Sequence, residues 1–311
     1  MKTKNIAPIL GIVIVTALAV IFFNDPKQTA QSPSSGSNHV DSRIISMAPS
    51  ITEILFALGL GDRVIGVSQY CDYPAQAAEK PKFGGLLNPS YEAIVAAEPD
   101  LVITFEEMLE PGNKFASLGI ETLVVKHQTL EDILESIIII GQSCGAKHIA
   151  ERLVAQLRER IAKISGSGQN RPARSVLICI GHSISQDPTE SLKNIYIAGD
   201  DGFYSEMLKI IGAKNAYSGK SAFPKVGYES LIAMDADIII DIMPLSGGER
   251  IERENILAQW KNFSDIEAVK NDRIYILSEK YMAIPGPRFI LTLEKIAAAV
   301  NNGTIEAGQI E

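Results

Sequence analysis

Residues 91–103 read YEAIVAAEPDLVI, and 137 positions later residues 228–240 read YESLIAMDADIII. Each copy opens on Tyr-Glu, runs through one or two amphipathic turns, reaches an Asp and passes into an aliphatic run. A second pair repeats in the same order. Glu53-Ile54-Leu55 leads to Gly59, and Glu206-Met207-Leu208 leads to Gly212, at an offset of 153. Shared order and a shared Tyr-Glu indicate a chain built from two similar halves. A length of 311 residues fits two units of roughly 150 residues each.

Outward from these repeats, aliphatic strands alternate with amphipathic helices. That is the pattern of an α/β protein with two similar lobes, each a mostly parallel sheet covered on both faces. The expected strands of the first half are Arg43–Met47, Val64–Ser68, Asp100–Phe105 and Glu121–Val125. Those of the second are Ser175–Ile180, Asn194–Ala198, Asp237–Met243 and Arg273–Leu277. Ser50 with Glu53 reads as a capping box, and Thr129 with Asp132 as a looser one. Between the halves, Leu130–Ser165 is helical in pattern but interrupted around Gly141 and Gly145, so two helices are expected. The second, Lys147–Ile164, has apolar Ile149, Leu153, Leu157, Ile161 and Ile164 at helical spacing and is long enough to join two lobes. A stiff helical joint predicts small closure motions.

The composition excludes several classes. Hydrophobic residues make up 46% and charged residues 21%, with a net charge of -8. Neither a disordered acidic chain nor a basic nucleic-acid binder fits these values. Cys71, Cys144 and Cys179 are too few for a disulfide scaffold and read as buried thiols or one incidental bridge. The N-terminus, MKTKNIAPILGIVIVTALAVIFFND, has Lys2 and Lys4 before a mostly aliphatic stretch, which reads as a secretory signal or signal anchor over 1–23. Residues 24–42, rich in Ser, Pro, Gln, Asn and Gly, read as a flexible tether. No Cys follows the apolar run, which speaks against a lipid anchor on Cys. The remaining boundaries are a first α/β lobe at 43–127, a helical linker at 128–169, a second lobe at 170–301 and a tail at 302–311.

Three stretches carry a resemblance: APSITEILFALGLGDRVIGVSQYCDYP (48–74), NPSYEAIVAAEPDLVITF (88–105) and PGPR (285–288). Together they resemble the periplasmic binding proteins of ABC importers for cobalamin and iron-siderophores, over nearly all of residues 43–300 and closest to the cobalamin binders through Tyr70-Cys71-Asp72-Tyr73-Pro74. The resemblance implies a ligand cleft between two lobes joined by a backbone helix. It implies ligand contacts from Tyr70, Leu86, Phe105 and Phe223, and docking of Glu92 and Glu229 onto arginines of a permease that works with an ATPase. Cobalamin binders carry a tryptophan where this chain has Leu86. Haem-binding relatives place a tyrosine ligand in the loop where this chain has Gly84-Gly85-Leu86, which disfavours haem.

The expected function is therefore non-enzymatic. A monomeric receptor on the periplasmic side of the inner membrane, anchored or released after signal cleavage, captures a metal chelate such as cobalamin and needs no cofactor of its own. A second reading within the same fold is an iron-siderophore receptor, with Arg288 as the cation facing an anionic chelate. A third, from another class, is a signalling or adhesion ectodomain. Of the four histidines, His39 lies in the tether and His148 on the joining helix. His127 and His182 read as surface or loop residues without a carboxylate pair nearby, a poor metal cage. Gly181-His182-Ser183 lacks a G-x-S-x-G elbow and an evident acid, and Gly59-Leu60-Gly61 follows a helix, which fails the dinucleotide context.

Overall fold

The computed structural model describes residues 42–85, 87–109, 114–165, 172–200, 202–243 and 249–302. The expected anchor and tether, Leu86 and the tail beyond 302 lie outside the described residues. The chain forms two compact units. The described part of the first comprises residues 42–159 with Ile284–Pro287, and that of the second comprises residues 160–283 and 288–302.

In the first unit, strands β1 (Ile44–Ser46), β2 (Val64–Val67), β3 (Leu101–Phe105) and β4 (Thr122–Val125) form an all-parallel sheet in the order β2-β1-β3-β4. Every residue of β1 and β3 is buried, as a parallel strand covered on both faces requires. The helices are α1 (Pro49–Ala57), α2 (Ala75–Ala78), α3 (Tyr91–Ala96), α4 (Lys114–Ser117), α5 (Leu130–Ser143) and α6 (Lys147–Ser165). The last of these enters the second unit at Arg160.

The second unit carries β5 (Ser175–Ser183), β6 (Lys193–Ile197), β7 (Lys214–Asn215), β8 (Lys225–Val226), β9 (Ile238–Ile242) and β10 (Ile274–Leu277). Their order is β10-β9-β5-β6-β8, with β7 also on β5. Strands β10, β9, β5 and β7 are parallel, whereas β6 and β8 pair antiparallel. Its helices are α7 (Phe203–Ile210), α8 (Tyr228–Met234), α9 (Glu249–Lys261), α10 (Glu267–Lys270) and α11 (Phe289–Asn302). Trp260 and Phe263 fill the core on one side of this sheet with Leu177, Ile239 and Ile256. Among the described residues no helix is long and apolar enough to cross a membrane.

The internal repeat extends to the backbone. After α1, Gly59 turns left-handed at φ 75 and Leu60 N–H bonds to Leu55 O; after α7, Gly212 has φ 75 and Ala213 N–H bonds to Leu208 O. Glu98 (φ 46) and Asp235 (φ 38) hold matching left-handed positions before β3 and β9. The aspartates that follow perform one task. Asp100 Oδ2 accepts Arg43 N–H at 2.7 Å, and Asp237 Oδ2 accepts Ser175 N–H at 2.8 Å. Each carboxylate satisfies an amide at the start of a neighbouring strand, an amide the ladder leaves unpaired.

Several local expectations change. Helix α1 is not capped by Ser50: its N-cap is Ala48, Pro49 supplies the preset φ of the first turn, and Ser50 and Glu53 are buried inside the helix. Glu53 Oε2 instead lies where a Cβ on Gly286 would come within 3.3 Å. Thr129 and Asp132 do make a full reciprocal capping box. Gly141 does not break α5. The break is at Cys144-Gly145, where Gly145 has φ 77. The buried face of α6 is Ala150, Val154 and Leu157, whereas Ile149 is 40% exposed.

Gly141 is a contact. A Cβ there would fall 2.4 Å from Ala150 Cβ, so α5 and α6 cross where both side chains are minimal. Gly141→Ala gains about 1 kcal/mol of helix propensity but overpacks that crossing. We expect a net loss of about 1–2 kcal/mol in urea unfolding, and a stabilised variant would contradict the contact.

Candidate functional site

In a parallel sheet all carboxyl ends lie along one edge, where ligands of α/β proteins bind. In the first unit that edge collects the segments after β1, β2, β3 and β4. Tyr70 follows β2 and is half-buried. Phe105 ends β3 and is only 5% exposed, because the imidazole of His127, just past β4, stacks on it at a centroid distance of 3.8 Å and an interplanar angle of 30°. The aromatic surface at this edge is thus His127 backed by Phe105, not Phe105 alone. Beside it Gln128 Nε2–H donates to Glu107 Oε1 at 2.7 Å. Glu107 Oε2 and His127 Nδ1 are buried without a hydrogen-bond partner among the described residues. Burial lowers the His127 pKa from its ordinary 6.5, and the charges of Glu107 and Asp132 oppose that shift.

The floor of the same edge is a small polar network. Thr52 Oγ1 lies 2.8 Å from Ser46 Oγ and 3.1 Å from Cys71 Sγ, and Ser68 Oγ lies 3.1 Å from the same sulfur. Burial raises the Cys71 pKa despite these bonds, so the thiol is a packed neutral group and no disulfide forms among the described residues. Lys82 Nζ donates to Cys71 O at 2.6 Å and fixes the loop that follows Tyr70.

In the second unit, Phe223 is half-buried in the bend before β8. That bend comes so close to Gly199 that a Cβ there would sit 1.7 Å from Ser221 O. Gly199 N–H bonds to Ala222 O at 2.7 Å, so glycine at 199 is a condition for presenting Phe223. Arg288 begins the turn into α11, and its guanidinium lies 5.3 Å from the centroid of the Tyr281 ring. The Tyr281 phenol is pushed up to about 12, first by burial and then by Glu279. Leu86 lies outside the described residues.

Glu92 and Glu229 occupy equivalent places. Each is exposed in the first turn of a short helix, α3 or α8, directly after a tyrosine. Tyr91 is covered by Lys114 Nζ at 4.1 Å and packs on Phe115, while Tyr228 stacks on Phe263 and donates to Asp265. Each glutamate therefore stands beside an anchored ring.

A family model described as "Periplasmic binding protein" matches residues 44–281. The chain belongs to the periplasmic binding protein family. Among relatives of this periplasmic binding protein, the uncharacterized ABC transporter substrate-binding lipoprotein YvrC of Bacillus subtilis is 29% identical over 85% of this chain and 81% of its own length. The vitamin B12-binding protein of Vibrio campbellii is 26% identical over 85% of this chain and 91% of its own. The solved apo structure of the periplasmic heme-binding protein RhuT from Roseiflexus sp. RS-1 superposes with a TM-score of 0.69 at 25% identity, covering 85% of this chain and 98% of that one. These likenesses agree with the mixed α/β fold and its parallel sheets.

The structure corrects the reading of His182. Strand β5 continues past Gly181 through two register shifts against β6, so His182 lies within the strand and its side chain is 0% exposed. A carboxylate does adjoin it, Asp241 at 2.8 Å. Full burial keeps this pair from any dissolved substrate, which fits the binding role of the family. The reading of sequence also did not single out Glu107 or the stacking of His127, since both depend on β3 and β4 lying side by side.

A histidine whose pKa is depressed by folding stabilises the protein above its unfolded pKa and loses that contribution as pH falls through 6.5 towards its folded value. We therefore expect wild-type stability to fall more steeply than that of His127→Gln as pH drops below about 6.5 in thermal melts. Parallel pH curves would show that this imidazole is not the group concerned.

Proposed function

We infer that this chain is the extracytoplasmic substrate-binding component of an ABC importer and that its cargo is a metal chelate of the corrinoid type. The coarser part rests on the family and on relatives that match most of the chain. The finer part rests on one observation above all, the carboxyl edge of the first sheet with Tyr70 and the His127–Phe105 stack, read beside the vitamin B12-binding relative. A large, flat, partly apolar ligand gains most from aromatic walls that shed water and from few, fixed polar groups.

Binding needs no covalent chemistry. Delivery follows from the exposed Glu92 and Glu229, whose charges set register on a basic permease surface more than they add affinity. A second reading, an iron chelate, is favoured by the heme-binding neighbour and by an imidazole that burial keeps neutral and thus able to ligate a metal. An anionic siderophore would turn to Arg288, already held over Tyr281.

Calorimetric titration of the purified full chain with cobalamin, haem and ferric siderophores decides the order. We expect cobalamin to bind most tightly, with Tyr70→Ala and His127→Ala each costing about tenfold in affinity, ~1.4 kcal/mol. Preference for haem or a siderophore would overturn the corrinoid reading. In a separate uptake assay, Glu92→Ala with Glu229→Ala should abolish most transport while ligand affinity stays unchanged, and undiminished uptake would contradict docking through these residues.

A further inference from the structure

Strand β9 reads IIIDI and is buried throughout. One of those five residues, Asp241, is a carboxylate at 0% exposure. Parallel pairing sets it opposite Cys179 of β5, and His182 lies three residues farther along the same strand. We propose that Cys179, His182 and Asp241 form a resident binding site for one divalent transition ion of the zinc class, separate from the ligand-binding edge.

Geometry is the first support. One ligand atom from each residue can be chosen so that all lie within 4.8 Å of one another, with all three residues buried. Zinc–ligand bonds of about 2.0–2.3 Å place the donors of a tetrahedral site roughly 3–4 Å apart, so small side-chain shifts close this trio on an ion.

Unsatisfied atoms are the second support. His182 Nε2 and Trp260 Nε1 both reach the same carboxylate oxygen, Asp241 Oδ2, at 2.8 and 2.7 Å. Asp241 Oδ1 and His182 Nδ1 are buried and have no partner among the described residues. A buried polar atom left unpaired is costly, and an ion bound through Asp241 Oδ1 would satisfy one of the two. The indole of Trp260 would then be the outer partner that orients a ligating carboxylate.

Charge is the third. A divalent ion binds cysteine as the thiolate. One thiolate and one carboxylate then neutralise the ion, so no net charge is left in the core. Sulfur, nitrogen and oxygen together suit zinc rather than magnesium or calcium. With all three residues sealed, the ion enters as the chain folds, and is no cargo.

The test uses the full chain, unfolded and refolded with either zinc or a chelator, then freed of loose metal. Elemental analysis should find about one zinc per chain after refolding with zinc, and a melting midpoint several degrees above that of the chelator-treated protein. Refolding with cobalt should produce a thiolate-to-cobalt absorption band that Cys179→Ser abolishes. Absence of retained metal, with identical melting in both preparations, would reduce the trio to a hydrogen-bonded core network and overturn the proposal. Should Cys179→Ser fail to fold, the stoichiometry and the cobalt band of the wild-type chain decide alone. Cobalamin titration does not enter this test, so its outcome is independent of the cargo assignment.

Discussion

The carboxylate that precedes β3 and its counterpart before β9 set the frame on which the rest is laid. Asp100 takes the Arg43 amide and Asp237 takes the Ser175 amide. Each bond pins the start of one parallel strand against its neighbour. A one-residue slip would send every side chain of a two-sided buried strand to the wrong face. Hydrophobic runs such as LVITF and IIIDI carry little pattern to resist such a slip, since nearly every position is apolar. The aspartate supplies the missing register mark, and both copies of the repeat retain it.

Both chemical features of the molecule follow from that alignment. In the first unit Phe105 pairs with Val125, which brings the segment after β4 over the end of β3 and lets His127 cover the phenyl ring. In the second, Cys179 pairs with Asp241, which brings a thiol and a carboxylate from strands about sixty residues apart into one buried cluster. The repeat thus provides two equivalent scaffolds that have diverged in what they hold. One sheet edge faces solvent with aromatic and polar groups, whereas the interior of the other gathers sulfur, nitrogen and oxygen donors.

Much of the frame was legible in the sequence. All eight expected strands occur with ends shifted by a residue or two, apart from β5, and the α5–α6 pair follows the expected division. What escaped has a physical cause in each case. Gly141 looked like a helix breaker because propensity is local, while its close approach to Ala150 is set by tertiary packing. Ser50 and Glu53 had the spacing of a cap, but Pro49 starts the helix two positions earlier and turns both inward. Gly181 looked like the end of a strand, yet a bulged ladder carries β5 through it and buries His182. The short strands β7 and β8 have two residues each, too few for any periodic signal. Charge partners such as Asp241 for His182 are invisible to spacing, because pairing between distant strands creates them.

The three thiols are sealed at 1%, 1% and 0% exposure, Cys71 and Cys144 in the first unit and Cys179 in the second. Burial also holds the protons of Cys71 and Cys144, the latter pushed up to about 11, while Cys179 is shielded by its burial alone. Alkylating reagents attack the thiolate and need access to sulfur, so the native fold denies them access at all three. Each cysteine becomes an intrinsic tag for local opening, and the pattern of modification in a fragment map reports which of the two halves has come apart first.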